Sequence, residues 1–124
     1  MVDIRRLEVM CANKKLLRRR LSDPAYRKEH AEISKQIEDI NMDLWSVGYH
    51  CEGEYQLVKM HYPRRNSLPS MTFTERAIWD VARLVDSQPA SPHLTEAVIL
   101  LTKAREKVAD YVDEQLEERR KKYE

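Results

Sequence analysis

Apolar residues recur along this chain at helical spacing in four stretches, and the gaps between the stretches carry helix stop and start signals. The first stretch runs from Asp3 to Leu21, with Ile4, Leu7, Met10 or Cys11, Leu17 and Leu21 near one face. Asp3 and Glu8 lie near its start and Arg18, Arg19 and Arg20 near its end, the polarity that the helix dipole favours. Ser22-Asp23-Pro24 then ends one helix and opens the next, Asp23 as a cap and Pro24 at the first helical position, where its missing N–H costs nothing. In the second stretch Tyr26, His30, Ile33, Ile37, Ile40, Leu44 and Val47 follow at alternating spacings of four and three. That spacing predicts an uninterrupted a/d stripe over three heptads, about 30 Å long. A connection of two or three residues makes the two helices antiparallel neighbours.

Gly48 suits the left-handed position that closes a helix. Tyr49 to Tyr62 is rich in aromatic and β-branched residues around Glu52-Gly53, which predicts a small hairpin or a single strand, and Pro63 to Ser70 reads as a polar connector bounded by prolines. Thr72-Phe73-Thr74-Glu75 matches a capping box, so a third helix runs from there to about Asp86. Its apolar residues Phe73, Ala77, Ile78, Val81, Leu84 and Val85 cover a broad arc. Ser91-Pro92 opens a fourth helix that reaches about Lys121. Leu94 and Ala97 to Leu101 are apolar on most sides, which predicts burial. Beyond Val112 only Leu116 is apolar, which predicts an end that projects into solvent. The expected fold is a single all-α domain of two antiparallel helical hairpins, residues 1–48 and 72–124, joined by a partly extended connector over 49–71.

Composition narrows the picture. The chain has 124 residues, 35% of them charged, and only two glycines, Gly48 and Gly53. Barrels, Rossmann turns and phosphate-binding loops need glycine where the backbone takes positive φ or approaches a phosphate. The longest fully apolar run, Ala97 to Leu101, is far too short to span a bilayer, and the N-terminus lacks a secretory apolar region. No membrane association is expected. Two cysteines in a chain that does not require a staple fit a reducing, cytoplasmic setting. The net charge of +1 hides segregation: residues 1–30 carry nine basic and four acidic groups, residues 31–62 two and six. A basic first helix facing an acidic second one would neutralise the first hairpin.

Candidate chemistry is sparse. His30, His50, His61, His93, Cys11 and Cys51 show no metal-ligand spacing, and adjacent His50 and Cys51 on an extended segment point to opposite faces. No serine or cysteine stands in a nucleophile motif. Acidic residues occur as Glu29-x-x-Glu32 on the second helix and as Glu106, Asp110 and Asp113 on the fourth. The stretch Glu106 to Asp113 resembles the second acidic motif of MazG-type nucleotide pyrophosphohydrolases. That resemblance implies an all-helical, Mg²⁺-dependent enzyme in which facing helices present the carboxylates. Two features depart from that family: its first motif is a denser Glu-Glu-x-x-Glu, and its second spaces Glu-x-x-Asp, which Glu106 and Asp110 miss by one residue.

Two surfaces remain. Lys14, Lys15, Arg18, Arg19 and Arg20, with Arg64 and Arg65 in the connector, form a basic patch suited to anions or nucleic acid. Within it Lys14–Arg18 and Lys15–Arg19 are repulsive i,i+4 pairs. The heptad stripe and the two tryptophans offer protein-contact positions instead: Tyr26, Ile33, Ile37, Ile40, Leu44, Trp45 and Trp79. The resulting expectation is a non-enzymatic, cofactor-free binding, adaptor or inhibitor protein that acts through helical surfaces on another protein or on itself as a homo-oligomer. The alternative is a nucleic-acid-associated factor, with the Mg²⁺-dependent hydrolase third.

Overall fold

The computed structural model describes residues 2–52, 56–60 and 71–123, and among these the chain forms four α-helices and one two-stranded antiparallel sheet. It divides into two compact units. One contains the described residues up to 60 together with 116–123, and the other contains 71–115. The Glu52-Gly53 turn and the connector over 63–70 lie wholly or partly outside the described residues.

In the first unit, α1 spans Ile4–Leu21 and α2 spans His30–Ser46. Asp3 caps α1 through Oδ1, which accepts the Arg5 amide at 3.1 Å, and Arg18, Arg19 and Arg20 occupy the last turn. Asp23 caps the next helical segment by accepting the Ala25 amide at 3.0 Å. Here the structure corrects the sequence expectation. Pro24–Glu29 is a 3-10 helix rather than the first turns of α2, and Glu29 at φ −99° and ψ 7° separates the two. Three residues per turn instead of 3.6 throws the heptad out of phase. Tyr26 therefore sits on the 3-10 turn and His30 is exposed, so the stripe is continuous only from Ile33 onward.

Ile33, Ile37 and Leu44 of α2 are buried, as are Leu7 and Cys11, one turn apart on α1, and the two helices pack on one another. Full burial of such aliphatic side chains stabilises by about 1.5–3 kcal/mol each. Gly48 ends α2 at φ 84°, its amide donating to the Trp45 carbonyl at 3.0 Å. A side chain there would meet nothing within 4 Å, so the backbone angle alone requires glycine. The Gly48 carbonyl then accepts the Met60 amide at 2.7 Å, closing the base of the hairpin formed by β1 (Tyr49–Glu52) and β2 (Gln56–Lys59). The register pairs Tyr49 with Lys59, His50 with Val58, Cys51 with Leu57 and Glu52 with Gln56. An isolated pair of strands is marginal in water, and this one rests on helices, β1 against α2 and β2 against α1. Cys51 of β1 is joined to Cys11 of α1 by a disulfide, with Cα atoms 6.2 Å apart. Cysteine usage thus ceases to argue for a reducing compartment, because the pair is linked through a contact that sequence spacing does not reveal.

In the second unit, α3 spans Phe73–Asp86 and α4 begins at Pro92, continuing as one helix of 32 residues to Tyr123. Two expectations for α4 fail. Its apolar beginning is not buried: Leu94, Val98 and Leu101 are half-buried, while Ile99 and Leu100 are 49% and 58% exposed. On one side of the helix Val98 and Leu101 line a cleft with Ile78 and Ala82 of α3. Nor does the end of α4 project free. Residues from Leu116 onward belong to the first unit, held there by polar contacts that a search for apolar stripes overlooks.

Candidate interaction surface

Helix α3 is set by its first turn. The Thr72 hydroxyl accepts the Glu75 amide at 3.2 Å and donates to Glu75 Oε1 at 3.1 Å, and the Thr72 amide donates to the same oxygen at 3.2 Å. Thr72 and Glu75 are both buried. With that start fixed, the helix presents two apolar stripes about a third of a turn or more apart. The inner one, Ile78, Ala82 and Val85, is half-buried against the beginning of α4. The outer one, Phe73, Ala77, Val81 and Leu84, is exposed along its whole length, Val81 by 46% and Leu84 by 66%. No apolar residue of α3 is fully buried. The broad apolar arc in the sequence carried this signal, because one packed neighbour covers only about 100° of a helix.

The residues singled out by sequence separate. Ile33, Ile37 and Leu44 are consumed by the core of the first unit, and Ile40, half-buried, lines a shallow cleft with Leu16 and Leu17. Tyr26 and Trp45 are half-buried in the same unit. Trp79 faces the cleft between α3 and α4, with the Arg83 guanidinium 4.7 Å from its ring centre. In the basic patch, Arg18, Arg19 and Arg20 are exposed, and Arg20 lies over the Tyr26 ring at 5.4 Å. Arg64 and Arg65 lie outside the described residues. Lys14 and Lys15 are half-buried. Burial, and secondarily the charge of Arg18, pushes the Lys14 ammonium down to about 8 from 10.5.

Glu29 and Glu32 belong to the first unit and Glu106, Asp110 and Asp113 to the second. Among the described residues no three His, Cys, Asp or Glu side chains are grouped so as to hold a metal ion. His50 lies 3.4 Å from Glu52, and His61 falls outside the described residues. Also among the described residues, no helix is long and apolar enough to cross a membrane.

The polar cluster that sequence reasoning missed is at the end of α4. Arg119 donates through Nη1 to Asp43 Oδ1 at 2.8 Å and to the Asp39 carbonyl at 3.1 Å, and through Nη2 to Asp39 Oδ1 at 3.1 Å. The Tyr123 hydroxyl donates to Asp43 Oδ2 at 2.9 Å, and the Arg6 guanidinium lies 4.6 Å from its ring centre. Asp39 and Asp43 of α2 are thus met by Arg119 and Tyr123 of α4, a pairing that the charge pattern of the first two helices did not suggest. Burial works against the Arg119 charge, but the hydrogen bonds to Asp43 and Asp39 outweigh it and hold the guanidinium above its ordinary value. Burial, with the hydrogen bond to Asp43 and that group's charge, raises the Tyr123 phenol. The available signal was register: Arg119 and Tyr123 continue the α4 spacing set by Leu94, Val98, Leu101, Arg105, Val108 and Val112.

No family model, curated protein or solved structure matches the chain.

Proposed function

We propose that the protein is a non-enzymatic helical interaction module that self-associates and acts as an adaptor or inhibitor through its helix surfaces. The supporting observation is the outer stripe of α3, a row of exposed apolar positions, while the inner stripe of the same helix faces α4. Exposed apolar surface organised along one helix face, rather than scattered singly, marks an association site. In this reading the chain is built as two helical hairpins, α1 with α2 and α3 with α4. The first supplies the stable body and the second the contact surface. The basic patch of α1 supports phosphate binding less well, since Lys14 is partly withdrawn from solvent and Arg20 is engaged with Tyr26.

Light scattering on the full chain across a hundredfold concentration range tests this reading. A mass above 14.7 kDa that rises with concentration is expected. A monomer throughout refutes self-association. Tight binding to DNA or RNA that weakens steeply with salt would transfer the function to the basic patch.

A further inference from the structure

The outer stripe of α3 is self-complementary under a two-fold axis, and we propose that it pairs antiparallel with α3 of a second copy. This rests on the self-association reading and specifies its surface. With the axis near the level of Ile78 and Trp79, Phe73 meets Leu84 of the second copy and Ala77 meets its Val81. The small Ala77 side chain lets the two helices approach closely at that level. Arg76 and Asp80 lie on one flank of the stripe, at the edge of the apolar row. The same axis brings Arg76 of each copy to Asp80 of the other, giving two equivalent ion pairs. Among the described residues neither side chain is in an ion pair within the monomer. Within one helix a cation four residues before an anion is also the weaker orientation. The opposite flank, at Thr74, is uncharged and adds no repulsion. A parallel pairing would set the Arg76 and Asp80 flank of one copy against the uncharged flank of the other and form no such ion pairs.

Area fixes the class of complex. The exposed parts of Phe73, Val81 and Leu84 amount to roughly 280 Å² of apolar side chain per copy. A standard interface buries about 800 Å² per partner, a little over half of it apolar. The stripe therefore supplies more than half of the apolar surface of such an interface, which fits a reversible dimer that dissociates on dilution.

Sedimentation equilibrium on the full chain and four variants tests the pairing. The parent should dimerise, and Val81→Asp should be monomeric with unchanged helicity, because position 81 lies in water in the monomer. Arg76→Asp and Asp80→Arg alone should each weaken dimerisation at least tenfold, by setting like charges together twice. The double variant should return to within about threefold of the parent. A dimer that survives Val81→Asp, or a double variant no better than either single one, overturns the α3 pairing and leaves self-association to another surface. A parent that is monomeric at every concentration overturns both.

Discussion

Replacing Lys14 by Met should stabilise the protein at neutral pH. The Lys14 ammonium is pushed down to about 8 from 10.5, first by burial and then by the charge of Arg18 one turn away. Below pH 8 the folded state must keep a charge in a place that disfavours it, whereas the unfolded chain holds the same charge in water. The sign follows from proton linkage. Between about pH 8 and 10.5 the unfolded chain binds more protons than the folded one, so stability increases with pH across that window. At about 1.36 kcal/mol per pH unit the full difference would approach 3.4 kcal/mol. Lys14 is only half-buried, and solvent screening reduces this to about 1–2 kcal/mol. Methionine keeps the length and flexibility of the side chain and removes the charge. Urea denaturation at intervals from pH 6 to 9.5 is the assay. Parent stability should rise above pH 8, the Lys14→Met curve should be flat there, and the variant should be more stable by about 1–2 kcal/mol at pH 7. A variant equal to or less stable than the parent at pH 7, with both curves parallel, would refute the reasoning.

Two further outcomes concern the first unit. The Cys11–Cys51 disulfide spans a sequence separation of 40, and in the chain-entropy account closing a loop of that length contributes about 4 kcal/mol. Adding a reductant should therefore lower the urea midpoint, and Cys51→Ser should remove that sensitivity. Arg119→Ala should cost about 2 kcal/mol, since it removes three hydrogen bonds to or beside carboxylates at a site where the Arg119 side chain is 19% exposed. Amide exchange over 116–123 would report the loosened end. Because the Tyr123 phenol is raised in the folded state, its contribution is complete below about pH 10 and is lost as pH climbs above it. Tyr123→Phe should abolish that alkaline loss.

What the sequence discloses here is mainly what is local. Asp3, Asp23, Gly48 and the Thr72–Glu75 box each act within four residues, and each is readable because its partners are neighbours in the chain. The extended segment after Gly48 is readable from its tyrosines, and the helical character of the rest is readable too. Phase is harder. A 3-10 turn and an α-turn look alike in composition, so Tyr26 and His30 join a stripe from which three residues per turn displaces them. Long-range contacts are hardest. Nothing at Cys11 points to Cys51, and Arg119 resembles any other charge on a polar helix until Asp39 and Asp43 are beside it. Hydrophobicity likewise overstates burial at Ile99 and Leu100, because an apolar side chain is buried only where a neighbour exists to cover it.

The Arg119 and Tyr123 contacts with Asp43 close across sequence separations of 76 and 80. They give the molecule an order of assembly. Synthesis delivers Asp39 and Asp43 early, with α1 and the strand pair at hand, while the groups that neutralise them arrive only with the last turns of α4. A nascent chain that stops short of Arg119 therefore carries an exposed acidic face on α2. A chain that has passed Tyr123 pairs both carboxylates, Asp39 with Arg119 and Asp43 with Arg119 and Tyr123, and so presents less free negative charge on α2.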